Sequence, residues 1–240
     1  MAGFIPHGLQ GSLINAGAIV VFSFIGLLLH KGIPERVSQT VMDGFGLLLI
    51  VLGVQSGLDY QGTSGVITVI ISLVLGAVLG ELINIQGGME WIGAKVETRF
   101  SSDGSPFGKA FVFTTLLYCT GAMAIMGPIE DGLNGDLKIL LVKSLLDGIS
   151  GLVFAATMGP GVLLSAVPVL LYQGSIGLAA TTIKAFTTPE MLSNISSLGG
   201  ILILGIGTNI LRLTEIRIAN LLPGLFLIPF VMWLIQRFFA

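Results

Sequence analysis

The sequence predicts an all-α, polytopic membrane bundle of about eight spans arranged around two inverted repeats. Three observations carry this expectation. Hydrophobic residues make up 53% of the chain and charged residues only 10%, against roughly 25% charged in a soluble domain, and mean hydropathy is +0.96. The apolar stretches are long enough to cross a hydrocarbon core of about 30 Å, which takes on the order of 20 helical residues. Finally, the segment from Gly17 to Leu58 returns without a gap as Gly121 to Val162, and the pair Asp43-Gly44 meets Asp147-Gly148 in that register. An internal repeat in a polytopic chain is a mark of many secondary transporters.

Taken in order, the apolar segments are Gln10 to Leu29, Val37 to Gly57, Gly65 to Ile85, Lys109 to Ile129, Leu137 to Met158, Gly161 to Ala180, Ile195 to Leu213 and Ala219 to Gln236. Together they form one transmembrane domain over residues 1–240. Residues 8–86 hold the first repeat, 109–180 the second and 195–237 two C-terminal helices. Residues 87–108 read as an interfacial or cytoplasmic linker: Glu90, Trp91, Lys95, Glu97 and Arg99 suit a helix lying in the interface, followed by a Ser101 to Pro106 loop. The sixth segment is interrupted by Gly161, Pro168, Gln173, Gly174 and Gly177, so a broken or re-entrant helix is expected there. The N-terminus lacks the basic start and the small-residue cleavage site of a secretory signal, so the first apolar run is expected to stay as a span.

Lysine and arginine near helix ends set orientation, because cytoplasmic loops carry the excess. With the N-terminus outside, Lys31, Arg36, Lys95, Arg99, Lys109, Arg212 and Arg217 fall on the cytoplasmic side and Lys138, Lys184 and Arg237 opposite. The first helix of copy one then runs inward and its counterpart in copy two outward, which makes the repeats inverted. Such a pair places a shared site near the bilayer midplane.

Several function classes are disfavoured by composition. The net charge is -2 and no basic run occurs, which argues against nucleic acid. His7, His30 and Cys119 form no ligand cluster, so neither a metal nor another cofactor is expected, and Cys119 reads as a packed thiol. No ATP-binding loop is present, so any driving force is expected to be an ion gradient or the membrane potential.

An ionisable group inside a span costs roughly 2.5–3.5 kcal/mol on insertion scales, and so faces a cavity or a partner. Asp43, Glu81, Lys143 and Asp147 are the candidates. Lys143 and Asp147 are one helical turn apart and suit an ion pair, while their register partners in copy one are Gln39 and Asp43. A duplicated site would thus hold two acids and one base. Ser144, which meets Thr40 in the same register, together with Gln173 and Asn15, completes the expected substrate- or ion-binding set. Glu81 sits near a span end, where snorkelling accounts for it. Asn209 is expected to bond between helices. Glu130, Asp131 and Asp136 crowd a Gly-Pro turn without the spacing of a calcium loop, and read as an exposed acidic turn.

The runs Gly121 to Gly132, Lys143-Ser144-Leu145-Leu146-Asp147-Gly148, Val169 to Gly174 and Ile218 to Pro223 resemble the bacterial membrane family catalogued as domain of unknown function 554, and the similarity covers nearly the whole chain. The resemblance implies a multi-pass protein of the bacterial inner membrane, described as a transporter and without an agreed substrate.

Three functions stay open on the residues alone. The first is a secondary transporter, not an enzyme, moving a small solute or ion. The second is an intramembrane aspartyl hydrolase using Asp43 and Asp147, although neither lies in a Gly-x-Gly-Asp context. The third is a non-transporting scaffold. Two acids and a base suit a cation, a zwitterion or a proton-coupled anion, and the lipid bilayer is the one certain surrounding. Association into a homo-oligomer is left open by the glycine-rich helix faces.

Overall fold

A computed structural model of the chain describes residues 6–30, 34–100, 107–120, 123–184 and 187–239, and those residues contain helices and no strand. The helices are α1 (Gln10–His30), α2 (Glu35–Gly57), α3 (Gly62–Ile83), α4 (Ile85–Phe100), α5 (Phe107–Cys119), α6 (Met123–Asn134), α7 (Lys138–Met158), α8 (Gly161–Leu164), α9 (Ala166–Leu178), α10 (Ala180–Lys184), α11 (Pro189–Ile210) and α12 (Pro223–Phe239). A 3₁₀ turn at Ile218–Leu221 leads into α12. Seven helical segments are long and apolar enough to span a bilayer, and α5 with α6 form an eighth, bent by 59° at a short break. Seven of the expected segments appear as single helical spans, the bent pair α5–α6 covers the fourth, and α4 covers most of the stretch expected to form an interfacial helix. The Ser101 to Pro106 loop lies outside the described residues.

Interruptions fall differently from expectation. The sixth segment is one span, Gly161–Leu178, with a turn at Ser165 between α8 and α9. Pro168 explains that turn: it lies in the first turn of α9, where its missing N–H has no intrahelical partner to lose, and the Ser165 hydroxyl donates back to Val162 O at 2.6 Å. The larger break lies in the fourth segment, whose second half α6 runs on through Pro128 to Asn134.

The helices group into two compact units that do not follow chain order. Unit 1 contains α1, α5 to α10, most of α4 and the start of α2, and is built on close approach of α1 to α7. Gly11 lies against Leu140, Gly151 faces Ile19 and Ser23, and Gly26 lies against the Leu152 carbonyl. Both helices advance in the same direction through these contacts, so α1 and α7 are parallel. Gly161, just after α7, meets the backbone of Phe107 and Phe111 at the start of α5, whereas Gly132 near the end of α6 meets Gly8 and Gly177. The bent pair α5–α6 thus enters at the end where α7 finishes and leaves at the end where α1 begins. It is a broken span that crosses unit 1, antiparallel to α1, and not a re-entrant hairpin. A cluster of Ala16, Ile19, Tyr118, Ala166 and Val169 packs this unit, with Cys119 half-buried against it.

Unit 2 contains the rest of α2, then α3, α11 and α12. Glycines again set the contacts: Gly46 and Gly53 of α2 lie against Gly207 and Gly200 of α11, and Gly76 and Gly80 of α3 against Gly224 and Asn220. Small residues four apart let helix backbones approach closely in lipid, where van der Waals packing drives association. Asn84, at φ 55°, ends α3 and turns the chain into α4. Nearby, Asn220 accepts from Gln86 N at 2.7 Å and donates to Glu81 Oε2 at 2.5 Å, while Glu81 also pairs with Arg217. More than half of the Glu81 and Arg217 side chains is exposed. Asn209 bonds Thr214 and the backbone of Ile216 and so closes the turn after α11.

At the start of α7, Asp136 accepts from Lys138 N at 2.9 Å and from its ammonium at 3.2 Å. The backbone bond first, and the side-chain bond second, hold the Asp136 carboxyl below the usual carboxylate range. A depressed folded value means stabilisation that is present above the ordinary carboxylate range and lost as pH falls through the lower folded value. A carboxyl NMR titration is expected to give a midpoint below that of an unstructured aspartate, and an ordinary midpoint would remove this cap.

Candidate functional site

The exterior of α7 carries Leu141, Val142, Leu145, Leu146 and Ile149, all exposed, while its buried side carries Lys143, Ser144, Asp147, Gly148 and Gly151. The helix is polar inside and apolar outside because its surroundings are lipid. Asp147 is the tenth residue of α7, which at about 1.5 Å per residue puts it about 14 Å along the helix, near the middle of a core about 30 Å thick.

The helical turn between them brings Lys143 Nζ to 3.0 Å from Asp147 Oδ1 and 2.9 Å from Oδ2. α1 contributes Asn15, whose Nδ2 donates to Asp147 Oδ2 at 2.9 Å and to Gln173 Oε1 of α9 at 3.1 Å. The amide assignments follow from this chain of bonds. The Asp147 carboxylate can only accept, so Asn15 must turn its NH₂ to it, and Gln173 must then turn its carbonyl to Asn15. Two polar atoms in a fully buried place have no partner among the described residues, the acceptor Asn15 Oδ1 and the donor Gln173 Nε2. An unpaired buried group costs about 1–3 kcal/mol, so this is a costly arrangement for a purely structural junction. The ion pair keeps slight access, at 7% and 8% of the side-chain surface, whereas Asn15 and Gln173 have none. Lys143 and Asp147 are thus the less enclosed part of the cluster, and the amide pair the more enclosed part.

Four of the expected residues, Asn15, Lys143, Asp147 and Gln173, are therefore joined in one network within unit 1. Ser144 is buried on the same face, but its hydroxyl donates to Leu140 O at 2.6 Å, within its own helix. Gln39 and Asp43 are exposed on α2, and the network contains neither. Among the described residues no three His, Cys, Asp or Glu side chains converge on one point.

The family model described as Protein of unknown function (DUF554) matches residues 10–233. The chain belongs to the DUF554 family. It is 33% identical to the Uncharacterized membrane protein YdfK of Bacillus subtilis (strain 168) over 229 residues, covering 95% of this chain and 97% of that protein. It is 31% identical to the Uncharacterized protein YqgA of Escherichia coli (strain K12) over 222 residues, 90% of this chain and 93% of that protein. No solved structure matches it. With these relatives and its apolar helices, the DUF554 chain is a multi-pass membrane protein.

One feature of this DUF554 protein corrects the sequence reading. Asp131 is not part of an exposed acidic turn; it is fully buried on α6 and accepts from Gly11 N, in the first turn of α1, at 2.9 Å. Helix continuity through Pro128 is the reason, since Ala124, Gly127 and Asp131 then share the packed face of α6. That three- and four-residue spacing was the available signal. The charge of Asp131 meets the positive end of the α1 dipole. Ser12, next along α1, is also fully buried, and its hydroxyl has no partner among the described residues. The rest of the acidic stretch is at the surface: Asn134 bonds Glu130 at 2.6 Å and Asp136 caps α7.

Proposed function

We propose that this protein is a secondary transporter of a small solute or ion in the bacterial inner membrane, with Asn15, Lys143, Asp147 and Gln173 as its binding site. One observation carries the reading: a buried ion pair near mid-depth shares its carboxylate with an amide pair from two other helices, and that pair keeps an acceptor and a donor without a partner among the described residues. Intramembrane ionisable groups that face a bundle interior mark substrate and ion pathways. Alternating access would expose this cluster first to one side of the membrane and then to the other. The opposed directions of α1 and of the α5–α6 pair support an inverted relation between the repeats. The excess of lysine and arginine supports an external N-terminus.

The aspartyl hydrolase reading needs two carboxylates sharing a proton. Asp147 instead accepts from Lys143 and Asn15, bonds that suit an ionised carboxylate and favour binding over water activation. The test is thermal unfolding of the purified protein in detergent against ions, amino acids and small organic acids. A ligand that binds only the folded state raises stability, by about 2.7 kcal/mol at a hundredfold excess over Kd. The expected result is a compound-specific shift that Asp147→Asn and Lys143→Gln abolish. No shift for any compound, with both variants as stable as the parent, would point to a scaffold instead.

A further inference from the structure

We propose that the cluster on α1, α7 and α9 takes a small zwitterion of the α-amino acid type, with its carboxylate at Lys143 and Gln173 and its ammonium at Asp147 and Asn15. This rests on the transporter reading and names its substrate class.

The cluster holds unused hydrogen-bonding capacity of both kinds. Lys143 has three N–H donors and, among the described residues, directs them only at Asp147, whose two oxygens lie 3.0 and 2.9 Å away, so one donor remains. Gln173 Nε2 adds two more N–H groups that have no partner among the described residues. On the other side, the Asp147 carboxylate has about four lone-pair sites and, among the described residues, meets Lys143 and Asn15 only, while Asn15 Oδ1 has no partner there. The spare capacity is therefore a cationic donor beside an amide donor, and an anionic acceptor beside an amide acceptor. An anion alone would leave Asn15 Oδ1 unanswered. A cation alone would leave Gln173 Nε2 unanswered. A zwitterion meets all four, and each of its charged groups receives one charged and one neutral partner.

Charge balance points the same way. Lys143 and Asp147 cancel, so a ligand of net charge would leave an uncompensated charge at mid-depth, where it is most expensive. A zwitterion adds none. Asp131 does not alter this sum at the cluster, because its charge is met by the N-terminus of α1 through Gly11. Access has the same logic. The ion pair is the less enclosed part of the cluster, so the ligand's two charges replace the Lys143–Asp147 contact first, and the more enclosed amides then close on them.

The test uses the full chain in detergent and matched trios: each common α-amino acid, its carboxamide and its N-acetyl derivative. These remove the negative or the positive charge in turn while keeping the side chain. At least one amino acid is expected to raise Tm by about 5–10 °C at a hundredfold excess over Kd, with both of its derivatives giving less than a tenth of that affinity. Gln173→Leu, which leaves the ion pair intact, is expected to lower the affinity tenfold or more. A derivative that stabilises as well as its parent, or stabilisation by inorganic ions or simple organic acids alone, overturns the zwitterion assignment and leaves a binding site of another class. Absence of any stabilising compound, with Lys143→Gln and Asp147→Asn both neutral to stability, overturns the transporter reading as well.

Discussion

Replacing Lys143 alone with methionine is expected to destabilise the folded protein by about 3–5 kcal/mol, the cost of leaving a buried carboxylate without its partner. Asp147 would keep only the bond from Asn15 Nδ2, and its charge would stand near mid-depth. The charge-neutral double change Lys143→Gln with Asp147→Asn is expected to recover most of that loss. It removes both charges together, and the carbonyl of the new amide still accepts from Asn15. Unfolding of all three proteins by heat or by a denaturing detergent reads the comparison. A single variant as stable as the parent would show that the ion pair is not buried in the folded protein. A double variant no better than the single one would put the loss in packing and not in charge.

The second large effect is steric. Gly26 lies so close to α7 that a methyl group there would collide with the Leu152 carbonyl oxygen and crowd Ala155 at 3.1 Å. Gly26→Ala is expected to force α1 from α7 and cost about 1–3 kcal/mol, the usual range for overpacking. Gly17, on the same helix, is exposed and has nothing within 4 Å of the corresponding position. Gly17→Ala is expected to be neutral or to stabilise by up to about 1 kcal/mol, because alanine is the better helix former. Opposite signs at two glycines nine residues apart would establish that the contact, and not helix propensity, sets the cost. Equal effects would contradict the parallel packing of α1 on α7.

Much of this fold is legible in sequence because bilayer thickness fixes the length of each apolar run. Seven segments appear as single spans and the fourth as the bent pair α5–α6, most with ends close to those expected, while α6 runs on to Asn134 and α11 starts as early as Pro189. The Lys143–Asp147 pair was legible too, since a four-residue spacing on a helix leaves few alternatives. Asn15 and Gln173 stood out as amides inside apolar stretches. Their meeting was not legible, because it depends on α1 lying parallel to α7 with α9 alongside, a consequence of glycine contacts between segments more than a hundred residues apart. Asp131 was misread for a local reason: Pro128 looked like a helix end, yet helix α6 runs on through it and carries the carboxylate to the α1 terminus. A break is expected in the sixth segment from Gly161, Pro168, Gln173, Gly174 and Gly177, but Pro168 sits in a first turn where it costs little, and the larger bend lies between α5 and α6. Gln39 and Asp43 entered the expected site through register alone. Equivalence between two copies identifies corresponding positions and says nothing of which face of α2 each occupies.

The most direct test of the binding site is ligand-dependent stabilisation of the neutral double variant, Lys143→Gln with Asp147→Asn, beside the parent protein. The account predicts a variant that is folded and abundant yet unresponsive to every compound that stabilises the parent. A folded variant that keeps the full response would contradict it, because the ligand would then be bound by groups other than Asn15, Lys143, Asp147 and Gln173.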